Sequence, residues 1–118
     1  MRLSAAAWQD LPLRVTIAEM AFRLLPEAEA DLDDIWLYVA RESASAEIAN
    51  RLIDSITQRF WVLGQQLHLG RRRDHDLRLG LRSFPVGEYV IIYRIEGNSA
   101  LILHVMRGSR DIEGILRE

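Results

Sequence analysis

Apolar residues recur at intervals of three and four in two consecutive segments, and this spacing predicts two amphipathic helices. The first should start at Pro26, whose missing N–H needs no partner in a first helical turn, and should end near Arg41. Its apolar stripe comprises Ala28, Leu32, Ile35, Trp36 and Val39. Ser43 or Ser45 can cap the second helix. Its stripe comprises Ile48, Leu52, Ile53, Ile56, Phe60 and Leu63.

The periodicity changes to two in the C-terminal half, which is typical of strands. Three segments show it: LRLGLRSF (77–84), YVIIYRI (89–95) and ALILHVMR (100–107). They are separated by the turn sequences PVGE and EGNS, which favours an antiparallel meander. A short strand at 21–25 should precede the helices, and DIEGILRE (111–118) should form a last short helix. We predict an α+β fold: N-terminal strand, α-helical hairpin, three-stranded antiparallel meander, and short C-terminal helix or tail.

The turns also suggest how the strands align. Two-residue tips at Val86-Gly87 and Gly97-Asn98 would place Arg82 opposite Ile91, and Ile91 opposite His104. One face then carries a mixed aromatic and polar set: Arg82, Phe84, Tyr89, Ile91, Tyr93, Ile102, His104 and Met106. The other face is aliphatic: Leu79, Leu81, Val90, Ile92, Leu101, Leu103 and Val105. We expect the helices to cover the aliphatic face and to leave the mixed face as a binding surface.

The chain length of 118 residues is that of one domain. Residues 1–19 carry no strong pattern, so we interpret them as an N-terminal extension of a domain spanning 20–118. No apolar run reaches the length of a membrane span. Gln9 and Asp10 interrupt the apolar start of the chain, which makes it a poor secretory signal. We therefore expect a cytoplasmic protein.

Composition excludes several kinds of chemistry. The formal net charge is −2, so the whole molecule is not built as an electrostatic nucleic-acid binder. There is no Cys and therefore no disulfide or thiolate chemistry. All 15 basic residues are Arg, which excludes a Lys base or Schiff base. The three His residues lie on different elements without metal-ligand spacing, so we expect neither metal nor cofactor.

Two groups of polar and aromatic residues are candidates for function. His104 can act as a general acid or base beside Arg82 and Arg107, which can hold phosphate. The simpler interpretation, which we favour, is that His104 packs against Tyr93 and bonds a backbone group. The first helix carries an acidic face that could recruit a basic partner: Glu27, Glu29, Asp31, Asp33 and Asp34. Tyr38 and Trp61 lie off the apolar stripes, and either could anchor a partner if exposed.

Three stretches closely resemble the RelE/ParE superfamily of type II toxins, with the ParE branch the nearer. They are RLLPEAEADLDDIWLYVA, LGRRRDHDLRLGLRSFPVGEYVIIYRI and ILHVMRGSRDI. The resemblance covers about residues 20–113, with elements in the same order. Leu25 stands where that family commonly has a capping Ser. The resemblance implies a helical hairpin on a twisted antiparallel sheet, in a toxin encoded beside an antitoxin that neutralises it.

The two branches of this superfamily act differently: ParE-like toxins act on DNA gyrase, whereas RelE-like toxins cut mRNA on the ribosome. The resemblance implies that members which cut RNA use a basic site of Lys and Arg, often with a Tyr or His near the C-terminus. This chain has no Lys, and its C-terminal segment DIEGILRE has no Tyr or His. We therefore predict a gyrase inhibitor that works by binding, not by catalysis, with a ParD-like antitoxin. The alternatives are a ribosome-dependent endoribonuclease and a non-toxic antitoxin-binding module.

The resemblance and the residues together suggest two sets of contacts. The antitoxin contacts we predict are Asp31, Asp34, Tyr38 and Trp61. The predicted phosphate or target contacts are Arg82, His104, Arg107 and Arg110. We expect neither membrane binding nor direct sequence-specific nucleic-acid binding.

Overall fold

The computed structural model describes residues 21–74 and 78–108. Within these ranges the elements are β1 (Phe22–Leu24), α1 (Pro26–Ser43), α2 (Ala46–Gln65), β2 (Arg71–Arg72), β3 (Arg82–Val86), β4 (Tyr89–Glu96) and β5 (Ser99–Arg107). The strands form one sheet in the order β1-β5-β4-β3-β2. β1 runs parallel to β5, and the other neighbours are antiparallel. The predicted α+β fold with its helical hairpin and meander is confirmed.

Two predicted segments cannot be compared with the structure. The proposed extension at 1–19 and the proposed helix at 111–118 lie outside the described residues. Across 21–74 and 78–108, neither helix is long and apolar enough to cross a bilayer.

The two helices begin and end for local reasons. Leu25 precedes α1 without a side-chain cap, and Pro26 stands at the first helical turn. α1 runs to Ser43, two residues past the predicted end, and stops where Ala44 adopts a left-handed φ of 54°. Ser45 caps α2, because its Oγ accepts a hydrogen bond from the Ile48 N–H at 3.1 Å.

One face of the sheet packs against both helices and forms the main core. Its buried residues are Phe22, Ala28, Leu32, Ile35, Ile53, Ile56, Phe60, Leu63, Val86, Tyr89, Ile91, Tyr93, Ala100, Ile102 and Val105. Trp36 and Val39 pack against this core while partly exposed. Ile48, assigned to the apolar stripe of α2, is instead exposed. The helical periodicity thus identified most of the core-facing positions.

The predicted strand register is wrong by two residues between β3 and β4, and by one residue in the part of the β4–β5 pair that lies beyond Tyr93. Arg82 lies opposite Tyr93 instead of Ile91, because the first turn has its tip at Gly87-Glu88. Ile91 lies opposite Val105 instead of His104, because an irregularity between Ile92 and Tyr93 shifts the pairing of β4 with β5. The second tip, Gly97-Asn98, is where we predicted it, with Glu96 opposite Ser99.

The helices cover the mixed face and not the aliphatic one, contrary to the prediction. Tyr93 is fully buried there because its hydroxyl finds two partners. It accepts a hydrogen bond from the Gly70 N–H at 2.8 Å and donates to the Leu67 carbonyl at 2.9 Å. A second cluster contains no residue of either helix: Leu81, Ile92, Leu101, Leu103 and Met106, with Leu25 and Val90 partly buried. Met106 was predicted on the mixed face and Val105 on the aliphatic face, and both placements are wrong, because the irregularity in the pairing of β5 exchanges their sides.

The start of the meander also differs from the prediction. β3 begins at Arg82, whereas Leu79 lies in a turn with 88% of its surface exposed. Before it, Arg71 and Arg72 form the short edge strand β2, in which Arg72 pairs with Arg82. A two-residue strand is too short to show any alternation in the sequence.

Candidate functional site

A surface pocket of about 240 Å³ lies between α1 and one end of the β4–β5 pair. It is lined by Asp34, Ile35, Tyr38, Tyr89 and Arg107. Three of these come from one side of α1, where positions four apart are neighbours. The other two, Tyr89 and Arg107, are direct cross-strand partners on β4 and β5. The pocket therefore depends on the strand register as well as on the helix.

Arg107 is held at the rim of this pocket by two neighbours. Its Nη1 donates to the Tyr38 hydroxyl at 3.2 Å, and its Nη2 donates to Glu88 Oε1 at 3.1 Å. The guanidinium carbon lies 5.6 Å from the centre of the Tyr38 ring, within cation–π range. The Tyr38 hydrogen bond first, and then Glu88, raise the pKa of Arg107 above its usual value. The rim thus carries a permanent, oriented cation.

Tyr89 and Ile35 form the floor of the pocket, and Asp34 lies at the rim opposite Arg107. Burial raises the pKa of the Tyr89 hydroxyl, against the opposing effect of Arg107, so this phenol is neutral at physiological pH. Ile35 is buried beside it. Asp34 lines the pocket with an exposed carboxylate that has no hydrogen bond or ion pair to the described residues. The pocket therefore offers an apolar floor between a cation and an anion, which fits an amphipathic segment.

Asp31, a predicted antitoxin contact, lies about one turn of α1 away and bonds within the molecule. Its Oδ2 accepts a hydrogen bond from the Val105 N–H at 3.0 Å and lies 3.0 Å from His104 Nδ1. These two residues lie where the pairing of β5 with β4 becomes irregular. The carboxylate therefore fastens α1 to the distorted part of β5. Its place three residues after Ala28 and four before Ile35 is the sequence signal that could have indicated this inward position.

Replacing Asp31 with alanine is expected to lower the free energy of unfolding by about 1–3 kcal/mol, because it leaves the Val105 N–H and His104 without their acceptor. Urea denaturation followed by circular dichroism measures this change. Asp34→Ala is the matched control: it removes the same group from the same helix where no bond is lost. Equal losses from the two variants would show that the Asp31 contact contributes nothing.

Arg82 lies away from the pocket. Its Nη1 donates to the Gly70 carbonyl at 2.8 Å and to the His68 carbonyl at 3.4 Å, which closes the loop after α2. Arg82 pairs with Tyr93 and Arg107 with Tyr89, four positions apart on β4, a separation of roughly 13 Å along the strand. Three of the four predicted phosphate or target contacts, Arg82, His104 and Arg107, are therefore not brought together.

The remaining predicted contacts occupy other places. Trp61 packs edge-to-face on Phe22 at 5.0 Å between ring centroids and does not line the pocket. Arg110 lies outside the described residues. In the described part of the chain, no group of three or more His, Asp or Glu side chains could hold a metal.

The pocket is lined by three residues from the two predicted sets of contacts, together with residues that belonged to neither set. Asp34 and Tyr38 were predicted to touch the antitoxin and Arg107 the target, yet all three line one pocket. Ile35 and Glu88 were missed as site residues, whereas Tyr89 was placed on the predicted binding face but not among the predicted contacts. The predicted register placed Tyr89 opposite Met106, one position from Arg107, and so concealed the Tyr89–Arg107 pair.

Comparison with known proteins gives consistent matches. Residues 22–112 match the model of a family described as the ParE toxin of the type II toxin–antitoxin system parDE. Toxin ParE3 of Caulobacter vibrioides is 33% identical over 82 residues, which are 70% of this chain and 80% of that protein. Toxin RelE3 of the same species is 32% identical over 80 residues, 68% of this chain and 85% of that protein.

A solved structure shares the fold. It belongs to a chromosomal ParDE toxin–antitoxin system from P. aeruginosa and superposes with a TM-score of 0.66 at 22% identity, covering 78% of this chain and 99% of that one.

Proposed function

Because the chain belongs to the ParE family of toxins of type II toxin–antitoxin systems, we propose that it inhibits DNA gyrase by binding and is neutralised by a ParD-like antitoxin. In this proposal the antitoxin occupies the pocket between α1 and the β4–β5 pair, and the toxin itself performs no covalent chemistry.

The pocket is the observation that carries the antitoxin assignment. Antitoxins of this kind use a segment that folds on its toxin, and an amphipathic helix needs an apolar anchor point with polar groups on either side. Tyr89 and Ile35 supply the anchor point, while Asp34 and Arg107 supply opposite charges. Tyr38, half exposed beside them, is the type of residue that dominates binding energy at interfaces.

The separation of the candidate catalytic groups supports action by binding. An RNA-cutting site needs a proton-transferring group close to cations that stabilise the phosphate. Here His104 is bonded to Asp31 on α1, and Arg82 is bonded to carbonyl groups at a distant loop. Arginine cannot serve as a base near neutral pH.

A gyrase supercoiling assay tests this proposal. The purified toxin is expected to block supercoiling of relaxed plasmid, and the antitoxin encoded beside it is expected to restore the activity. The variant His104→Ala should inhibit as well as the unmodified chain, because the proposal gives His104 no chemical step.

Two results would contradict it. Cleavage of message on translating ribosomes that is lost in His104→Ala would establish the endoribonuclease alternative. Normal growth of cells that express the chain without antitoxin would establish the non-toxic binding module.

A further inference from the structure

We propose that Glu88 occupies, in the free toxin, the position on Arg107 that a carboxylate of the antitoxin takes in the complex. Glu88 would then be an internal competitor that sets the affinity of the antitoxin. This inference rests on the proposed antitoxin function of the pocket and adds the chemistry by which the partner is recognised.

Arg107 uses a different guanidinium nitrogen for each of its two hydrogen bonds. Tyr38 uses Nη1 and also lies under the guanidinium, so it fixes where the cation points. Glu88 uses Nη2 from the tip of the β3–β4 turn. Tyr38 is part of the pocket lining, whereas Glu88 is not. Glu88 can therefore leave without disturbing the pocket.

Because the ion pair of Arg107 with Glu88 is exposed to water, little free energy is lost when a carboxylate of the partner replaces Glu88. The side chains of Arg107 and Glu88 are 53% and 75% exposed, and pairs exposed to water contribute little stability. When a partner covers the pocket, water is excluded and a charge-assisted bond to Arg107 becomes stronger. Binding would be strongly weakened if the partner covered the Arg107 guanidinium without giving it a carboxylate, because burying an unpaired charge costs free energy. The partner gains most by presenting its own carboxylate in a rigid, well-packed position.

The charges around the pocket define the rest of the partner. Asp34 has no partner within the described chain and lies on the lining together with Arg107. A segment that fits both carries an acidic residue for Arg107, a basic residue for Asp34, and an apolar side chain between them for Tyr89. A helix that carries this combination on one face is the occupant to which the charge complementarity points.

The antitoxin encoded beside the toxin serves as the probe in an isothermal titration against the full-length chain. Glu88→Gln is expected to tighten binding by about two- to fivefold, because an exposed competing pair is removed. Arg107→Gln should weaken binding by about tenfold or more, because the antitoxin carboxylate is then covered without its cation. In the Arg107→Gln background, the Glu88→Gln change should have no further effect.

Glu96→Gln is the matched control, because Glu96 also bonds exposed arginines but lies at the opposite end of the β4–β5 pair. It removes the same charge and should leave the affinity unchanged. If the unmodified toxin binds and Glu88→Gln leaves binding unchanged or weakens it, the exchange is refuted while the antitoxin function stands. If the unmodified toxin does not bind the antitoxin at all, the proposed function itself fails.

Discussion

Replacing Tyr38 with alanine is expected to weaken antitoxin binding by about 10- to 100-fold, the effect of removing an aromatic residue at the centre of an interface. The change deletes an aromatic wall of the pocket and also releases Arg107, which Tyr38 holds through its hydroxyl and its ring. Titration of the unmodified and variant toxins with the antitoxin measures the loss.

Two further variants separate the causes of this effect. Leu37→Ala changes a neighbouring residue of α1 that is similarly exposed but does not line the pocket, so it should bind almost normally. Tyr38→Phe keeps the ring and loses only the hydroxyl bond to Arg107, so its loss should be intermediate. If Leu37→Ala and Tyr38→Ala weaken binding equally, the antitoxin does not use this pocket.

Replacing Phe60 with alanine is expected to lower the free energy of unfolding by about 3–5 kcal/mol. Phe60 is fully buried on α2, and its ring lies 5.6 Å from that of Phe22 on β1. The deletion leaves a cavity where the hairpin meets the sheet. Because small domains are stable by only about 5–15 kcal/mol, this loss removes a large part of the total. Urea denaturation of the purified variant measures it.

Exposed Leu79 provides the comparison for this second prediction. Leu79→Ala also removes apolar atoms, but from a side chain that makes little contact, and should change stability by less than about 0.5 kcal/mol. A Phe60→Ala variant that unfolds at the same urea concentration as Leu79→Ala would show that the core around Phe60 does not stabilise the protein.

The helices and the order of the elements were predictable because their signals are local. The spacing of Leu32 and Ile35, or of Ile56 and Phe60, places each pair on one side of a helix whatever surrounds it. Pro26 and Ser45 mark helix starts through the geometry and hydrogen bonds of a single turn. The tip at Gly97-Asn98 was predictable for the same reason. The resemblance to ParE-like toxins also rests on sequence alone, and the family match confirms it.

The face that the helices cover could not be read from alternation. Hydropathy favoured covering the aliphatic side, because it ranks Tyr93 as partly polar. In the folded chain the Tyr93 hydroxyl reaches Gly70 and Leu67, far away in sequence, and these bonds remove the cost of burying it. The hydropathy of a single residue does not indicate whether the folded chain will supply hydrogen-bond partners for its polar group.

The amino-acid sequence by itself determined the two amphipathic helices, the α+β class and membership of a toxin family, because each depends on neighbours within a few turns or on whole motifs. The tertiary structure alone decided the register, the inward bond of Asp31 and the pocket that joins Tyr38 to Arg107. These depend on shifts of one or two residues between strands and on contacts across about 70 positions of chain, as in the 69 that separate Tyr38 from Arg107. Strand alternation repeats every two residues, so the one-residue irregularity in the pairing of β5 was enough to exchange the sides of Val105 and Met106.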